Sequence, residues 1–270
     1  MSTTGGRQLA EQAGRASTEI FEKARAEGRA ALVGYLPAGY PTVDGSVEML
    51  SALVEGGCDL LEVGVPYSDP VMDGPTIQAA ADIALRGGVR LRDVFRVVER
   101  VSAAGGRAVV MTYFNPVLRY GPARLAREAV ESGVDGVLVT DLPPEEAGGW
   151  IGLARETGLD TVFLAAPTSS DARLGLVAGA SRGFVYAVSR TGVTGETHIL
   201  SDDARPLVRR LKSLTDAPVA LGFGIATPEQ VRAAAEVADG VVVGSALVRF
   251  LEETPEGDLA GRVRWLKSAM

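Results

Sequence analysis

Residues 107–141 have the sequence RAVVMTYFNPVLRYGPARLAREAVESGVDGVLVTD, and this stretch contains the unit from which the fold is built. Two short runs of consecutive apolar and β-branched residues begin near Arg107 and Asp135, and an amphipathic helical pattern over residues 121–131 lies between them. Consecutive apolar positions are typical of parallel strands that are buried on both faces. The stretch therefore predicts one strand–helix–strand unit of a parallel sheet.

The same alternation continues in both directions along the chain. Eight apolar runs of this kind begin near Ala30, Cys58, Arg107, Asp135, Asp160, Gly183, Ala217 and Asp239. Helical patterns between them cover residues 43–55, 91–104, 121–131, 202–214 and 228–237. Eight strand–helix units in one chain predict an α/β fold, a single (β/α)₈ TIM barrel.

The first residues of the chain do not share this pattern. Residues 1–16 are polar, and we expect a disordered tail there. A short helical pattern follows over residues 17–27 and ends at Gly28, which predicts an extra N-terminal helix. The barrel domain is accordingly predicted to span residues 17–270.

Two of the eight units are longer than the others. The second and sixth runs begin 49 and 34 residues before the start of the next run, whereas the other starts are 22 to 28 residues apart. Long loops in compact domains are usually functional, and in this fold the loops that follow the strands form the active-site face. The loops after strands 2 and 6, at residues 65–75 and 190–199, are therefore expected to carry function.

Charge and cysteine content exclude several classes of protein. Lys plus Arg number 27 against 34 Asp plus Glu, a net charge of −7, so a nucleic-acid partner is not expected. The only cysteine, Cys58, cannot form an internal disulfide, which favours a cytoplasmic protein. The N-terminal residues lack the apolar segment of a secretory signal, and no stretch approaches the roughly 18 apolar residues of a membrane span.

The scarcity of certain side chains restricts the chemistry further. The chain has one histidine, His198, and three lysines, so a His/Cys metal site, a Ser–His–Asp triad and a Schiff-base mechanism are all disfavoured. No role is assigned to His198. An enzyme of this composition would depend on carboxylates, tyrosine and backbone amides.

Two carboxylates lie near the predicted end of the second strand. Glu62 has apolar neighbours in LLEVGVP, and an apolar setting raises the pKa of a carboxyl and suits it to acid–base catalysis. It could alternatively be a strand-end carboxylate that pairs with an arginine. Asp69 and Asp73 follow in PYSDPVMDGP; turn formation explains Asp69 well, and it explains Asp73 less readily.

The sixth, seventh and eighth runs end in segments suited to a ligand. Tyr186 lies within the sixth run, where the spacing alone favours a core position, and residues 191–195 have the composition of a closing loop. GFGIATP after the seventh run and GSALV after the eighth offer glycines and helix N-termini in the order of the recurrent barrel phosphate site. These segments indicate a phosphorylated small molecule.

Four segments resemble one family closely, the tryptophan synthase α-subunit. They are LLEVGVPYSDPVMDGPTIQ (60–78), YAVSRTGVTG (186–195), GFGIATPEQV (222–231) and GSALV (244–248), and the match runs from about residue 31 to 248. The resemblance implies a carbon–carbon lyase of tryptophan biosynthesis. Its reaction is the retro-aldol cleavage of indole-3-glycerol phosphate to indole and glyceraldehyde 3-phosphate.

The resemblance also implies roles for individual residues. Glu62 matches the acid/base position, Asp73 the second carboxylate, and Tyr186 a tyrosine that flanks the acid/base group. The phosphate-binding positions correspond to Gly195, Gly224, Gly244 and Ser245, the indole pocket to Tyr35, Met111, Leu138, Leu164 and Phe223, and the mobile loop to Arg190 and Thr194. Tyr35, Tyr67 and Met72 depart from the residues often found at their positions in the family.

The implied partner is a β-subunit that carries pyridoxal phosphate and receives indole in an α₂β₂ heterotetramer. No metal or cofactor is implied for this chain. The loops at 65–75 and 190–199 and the segment near residues 113–120 are the implied docking surface.

Two other interpretations remain at this point. A sugar-phosphate isomerase of histidine biosynthesis would share the phosphate loops, but it would need aspartates where the first and fifth runs end, and this chain has Tyr35-Leu-Pro and Leu164-Ala-Ala-Pro there. The chain could also act chiefly as an activator subunit with little chemistry of its own.

Overall fold

A closed barrel of parallel strands forms the centre of the molecule. The computed structural model describes residues 16–188, 202–222 and 224–270. The strands among these residues are β1 (Ala31–Pro37), β2 (Leu60–Gly64), β3 (Ala108–Thr112), β4 (Val134–Val139), β5 (Asp160–Val162), β6 (Leu164–Ala165), β7 (Val185–Val188), β8 (Val219–Gly222) and β9 (Gly240–Val243). All of their pairings are parallel, in the order β5-β4-β3-β2-β1-β9-β8-β7-β6.

The ninth strand results from a break in the fifth predicted run. β5 and β6 are separated only by Phe163, and they pair with β4 and β7 respectively. The Tyr186 N–H still donates to the Phe163 carbonyl at 3.1 Å, so the interruption is small. The two short strands act as one barrel strand, and the predicted (β/α)₈ TIM barrel is confirmed.

Helices surround the barrel. They are α1 (Ala16–Ala26), α2 (Val43–Gly56), α3 (Pro75–Arg86), α4 (Leu91–Ala103), α5 (Phe114–Tyr120), α6 (Pro122–Glu131), α7 (Gly148–Thr157), α8 (Asp171–Ala180), α9 (Ala204–Lys212), α10 (Pro228–Ala235), α11 (Ser245–Glu253) and α12 (Leu259–Lys267). The five predicted helices between strands correspond to α2, α4, α6, α9 and α10. The predicted helices do not include α3, which takes up most of the extra length after β2 and leaves a loop of residues 65–74.

The first helix covers the N-terminal end of the barrel. Phe21 is fully buried, and its ring lies 5.0 Å from that of Phe184 between centroids. At the start of the helix, the Ser17 backbone N–H donates to the Asp160 carboxylate at 3.1 Å, and the Ser17 hydroxyl donates to the same oxygen. The extra N-terminal helix is therefore part of the barrel's base.

The opposite end of the barrel carries the loops that follow the strands, and the residues examined for function lie there. The interior between the two ends is filled by one apolar cluster that includes Val33, Val109, Leu138, Val162 and Tyr186. In the part of the chain that the structure describes, none of the helices has the length and apolarity needed to cross a membrane. Residues 1–15 of the predicted tail lie outside the described residues.

Candidate active site

Glu62 is a buried carboxylate inside the barrel. It lies in β2, where every residue is buried, and its own exposed fraction is 2%. Its Oε1 atom meets no hydrogen-bond partner among the described residues. Burial, reinforced by the negative charge of Asp73, raises the pKa of Glu62 to about 8. A carboxyl with this pKa can donate a proton and later accept one near neutral pH.

Two buried tyrosines accompany Glu62. The strand register pairs Tyr35 of β1 with Glu62, and Tyr186 lies in β7 within the interior cluster. Burial raises the pKa of both phenols well above the usual value, and the charges of Asp73 and Glu62 raise them further. Both side chains are therefore neutral hydrogen-bond donors beside the carboxylates.

Glycines on adjacent strands make room for these tyrosines. A Cβ atom at Gly64 would lie 2.8 Å from ring atoms of Tyr35, and a Cβ at Gly222 would lie 2.8 Å from ring atoms of Tyr186. Real Cβ atoms do not approach other atoms so closely, so any side chain at either position would displace a phenol. The sequence motifs predict Gly222 only as part of a phosphate loop; a glycine within an apolar strand often marks a close approach, and that signal could have indicated this second requirement.

Asp73 lies in the loop between β2 and α3. Its backbone N–H donates to the Pro70 carbonyl at 3.1 Å, and the Gln78 side-chain amide donates to its carbonyl oxygen at 2.7 Å. Burial raises the pKa of Asp73 to about 6, while a side-chain hydrogen bond with Tyr113 acts in the opposite direction. These backbone contacts fix the loop, and the charge of Asp73 acts on Glu62.

Asp69 stabilises the turn in the loop after β2 and is not part of the candidate active site. Its exposed carboxylate accepts from the Ser68 hydroxyl at 2.6 Å, and its carbonyl accepts from the Val71 N–H at 2.9 Å. Local bonds of this kind are the reason that aspartate favours turns. The same loop thus contains one aspartate that shapes the turn and one that faces the barrel interior.

An apolar wall stands beside the two carboxylates. Leu138 belongs to the interior cluster that contains Tyr186, and Met111 and Leu164 pack against that cluster. The strand registers pair Met111 with Gly64 and with Leu138, and Leu164 with Tyr186. The registers therefore place Met111 beside Leu138 and Leu164 beside Tyr186, while Tyr35 is paired with Glu62. Phe223, the fifth predicted residue of this wall, lies outside the described residues.

The two glycine loops after β8 and β9 differ at the helices that follow them. Thr227 and Gln230 close the N-terminus of α10 with a capping box, in which each side chain accepts from the other's backbone N–H. In contrast, α11 begins directly after Gly244, which has no side chain with which to cap it. The first N–H groups of α11, beginning at Ser245, therefore donate to no capping side chain, and a helix N-terminus of this kind can bind an anion.

The remaining predicted positions of the phosphate site can be placed only in part. Gly224 has a φ of +77°, a left-handed conformation that favours glycine, and it is exposed. Gly244 and Ser245 are half-buried. Gly195 and the mobile-loop residues Arg190 and Thr194 lie outside the described residues, as does His198.

A cavity of about 480 Å³ lies at the opposite, N-terminal end of the barrel. Arg25 and Lys212, which line it, both pair with Asp239, at 3.0 and 3.1 Å, and Arg29 pairs with Asp59 at 2.7 Å. These cations are neutralised by neighbouring carboxylates. We therefore place the functional site at the end that contains Glu62 and not in this cavity.

Comparison with known proteins agrees with this geometry. The family model described as tryptophan synthase alpha chain matches residues 21–268. The chain belongs to the tryptophan synthase alpha chain family. The tryptophan synthase alpha chain of Mycobacterium marinum is 55% identical over 232 residues, which cover 86% of each chain, and that of Mycobacterium tuberculosis is 52% identical over 256 residues, 93% of this chain and 95% of its relative.

Solved structures lead to the same family. A chain from the structure of Mycobacterium tuberculosis tryptophan synthase is 52% identical, covers 93% of this chain and 96% of its own length, and superposes with a TM-score of 0.87. A mutant tryptophan synthase alpha-subunit from Pyrococcus furiosus is 40% identical with a TM-score of 0.82, over 89% of this chain and 99% of its own. The resemblance inferred from the sequence motifs of tryptophan synthase alpha chains is thereby confirmed.

Proposed function

We propose that this chain is a carbon–carbon lyase that cleaves indole-3-glycerol phosphate to indole and glyceraldehyde 3-phosphate, the α-reaction of tryptophan biosynthesis. The observation that carries the proposal is Glu62, a buried carboxyl with a pKa of about 8, beside Asp73 and the phenols of Tyr35 and Tyr186. Family membership over residues 21–268 supports the same reaction.

Proton transfer by Glu62 is the central step. The neutral carboxyl delivers a proton to indole C3, which becomes tetrahedral and leaves positive charge on the ring. The resulting carboxylate then removes the proton from the hydroxyl on the adjacent glycerol carbon. As that carbon becomes the aldehyde, its bond to C3 breaks and the electron pair returns to the ring. One group can make both transfers because its pKa lies near working pH.

Asp73 supports this step electrostatically. Protonation at C3 places developing positive charge on the indole nitrogen, and a fixed carboxylate near that nitrogen stabilises it. The pKa of Asp73, about 6, lies below that of Glu62, so at pH 7 Asp73 is mainly charged while Glu62 is mainly protonated. The two carboxyls are thus suited to different roles.

The surrounding residues bind the two ends of the substrate. Met111, Leu138, Leu164 and Tyr35 offer an apolar wall for the indole ring, and Tyr186 flanks Glu62 from within the barrel. The phosphate is proposed to bind Gly224, Gly244 and the N-terminus of α11 at Ser245, with Gly195, Phe223, Arg190 and Thr194 completing the site. This chemistry needs no metal or cofactor in this chain.

We further propose that a β-subunit docks over the open end of the barrel in an α₂β₂ complex and receives indole there. Exposed apolar side chains support this: Val71 is 79% exposed and Met72 39% in the loop after β2, and Leu118 of α5 is 54% exposed. The loop after β2 and the start of α5 meet at the bond from Met72 to Tyr113, and adjoining exposed apolar side chains of this kind suit a protein partner. Pyridoxal phosphate is expected in that partner, and the single free thiol, Cys58, suits a cytoplasmic location.

The decisive experiment measures indole release from indole-3-glycerol phosphate, with and without a β-subunit. Indole release that depends on Glu62 is the expected result. A chain that forms no indole alone but strongly activates the β-subunit would instead be an activator, and a chain that binds no β-subunit yet releases indole rapidly would be an independent lyase.

A further inference from the structure

Tyr113 is a buried tyrosine to which the sequence analysis gave no catalytic role. It directly follows β3, is 2% exposed, and is the largest fully buried side chain among the described residues. Its hydroxyl oxygen accepts a hydrogen bond from the Met72 backbone N–H at 3.0 Å, across 41 positions of sequence. The phenol is therefore anchored to the residue that immediately precedes Asp73.

The hydroxyl of Tyr113 also lies close to Asp73, the residue that follows Met72, and acts on its carboxyl as a hydrogen-bonding group, which lowers the pKa of Asp73. A phenol has one proton to donate, and the Met72 N–H occupies an acceptor position on its oxygen. The proton is thus available to the carboxylate. Burial raises the pKa of Tyr113 itself, so that the group stays protonated and remains a donor.

The ring of Tyr113 is held by a second tyrosine. Tyr67 packs against it with ring centroids 5.0 Å apart and an angle of 33° between the planes. The Tyr67 hydroxyl in turn accepts from the Asn115 side-chain amide at 3.1 Å. A rigid side chain that is fixed on both its ring and its oxygen can orient a carboxylate accurately.

We propose that Tyr113 is a positioning residue for the cleavage reaction, holding the Asp73 carboxylate in its place beside Glu62 and in its charged form. This inference rests on the proposed function. Among the described residues, the titratable groups that interact with Asp73 are the carboxyl of Glu62 and the phenols of Tyr113, Tyr35 and Tyr186. Of these, Tyr113 is the one that acts on Asp73 as a hydrogen-bonding group.

The test replaces Tyr113 with phenylalanine, which keeps the ring and removes the hydroxyl. The Asp73 carboxyl, followed by ¹³C NMR in labelled protein, should titrate above the wild-type value of about 6. The acid limb of the kcat profile should move to higher pH by the same amount. At pH 7 kcat should fall about 10- to 100-fold, the range expected for loss of a hydrogen bond to a charged group, with KM changed far less.

The matched control is Tyr120→Phe. Tyr120 also donates from its phenol to a carboxylate, that of Glu128, but on the outer helices α5 and α6. This control should leave the Asp73 titration unchanged. An unchanged Asp73 titration in Tyr113→Phe, or a shift of equal size in the control, would overturn the proposal.

A double variant separates positioning from a merely structural role. If Tyr113 acts through Asp73, the kcat losses in Tyr113→Phe and Asp73→Asn should not add when combined, and full additivity would contradict the proposal.

A measurement without mutation covers the case of a misfolded variant: the Tyr113 Cζ resonance of wild-type protein should titrate with the Asp73 midpoint. The NMR titration does not depend on catalysis. A failed lyase assay would therefore refute the proposed function, while the titration would still test the interaction between Tyr113 and Asp73.

Discussion

Glu62→Gln should have opposite effects on turnover and on stability. The substitution keeps the shape of the side chain but replaces the ionisable carboxyl with an amide that cannot gain or lose a proton. If Glu62 transfers both protons, kcat should fall by about 10²- to 10⁴-fold, the usual contribution of general acid–base catalysis, while substrate still binds. The same change should stabilise the folded chain at alkaline pH, since a buried carboxylate without a hydrogen-bond partner among the described residues no longer has to ionise.

The size of the stability effect follows from the pKa. In the unfolded chain Glu62 ionises near 4.5, and in the folded chain near 8. Between these values the folded state binds more protons than the unfolded state, so stability falls as pH rises. Each pKa unit corresponds to about 1.4 kcal/mol, so the destabilisation approaches about 5 kcal/mol above pH 8, of which about 3 kcal/mol develops between pH 6 and pH 9.

Urea unfolding at pH 6 and pH 9 measures this effect directly. The stability of Glu62→Gln relative to wild type should rise by about 3 kcal/mol between the two values. Glu55→Gln, at an exposed position of α2, controls for the loss of one negative charge. A stability difference that does not change with pH would refute the assignment of Glu62 as a buried acid of raised pKa, and near-normal indole release would refute its role in catalysis.

Three further predictions concern the surroundings of this site. Asp73→Asn should lose most lyase activity together with the acid limb near pH 6, because an amide cannot balance charge on the indole nitrogen; steady-state indole release tests this, and a change in KM alone would indicate binding only. Gly222→Ala should displace the Tyr186 ring, lower kcat, and reduce the free energy of unfolding by about 1–3 kcal/mol, which is seen as a lower melting temperature. If both kcat and the melting temperature stay at their wild-type values, the close contact between Gly222 and Tyr186 is contradicted. Ser17→Ala should lower the free energy of unfolding by about 2 kcal/mol, as a hydrogen bond to the buried Asp160 carboxylate is lost, and an unchanged urea midpoint would show that this contact does not matter.

The barrel could be predicted from the sequence because its strands are buried on both faces. Each strand therefore appears as an uninterrupted apolar run, and eight such runs define the fold. The helix α3 could not be recognised in the same way, since its buried residues are Ala80, Ala81 and Ala84 and give no pattern of large apolar side chains. Helix α5 has only seven residues and is too short for a periodic pattern.

The candidate site could be predicted at residues whose chemical character differs from that of the residues next to them in sequence. Glu62 is a charged residue in an apolar strand, and Asp73 lies in a loop fixed by proline and glycine. Contacts between residues far apart in the chain cannot be read from the sequence around either residue. The bond from the Met72 N–H to Tyr113 and the space that Gly64 leaves for Tyr35 depend on how the strands are arranged in the barrel.

One signal at the phosphate loops was present in the sequence and could have been used. Thr227 and Gln230 have the spacing of a capping box, which predicts that α10 satisfies its own N-terminus. Gly244 before α11 offers no such cap. The two glycine loops could therefore have been distinguished as anion sites without the structure.

The helix across the N-terminal end has a consequence for the movement of molecules. With Phe21 packed on Phe184 and Ser17 bound to Asp160, helix α1 covers the N-terminal end of the barrel in the part of the chain that the structure describes. A substrate that reaches Glu62 would therefore enter from the other end, at which the strands terminate. A protein that covers that end decides the order of departure, and an uncharged product can then pass from one protein to the other without entering bulk water.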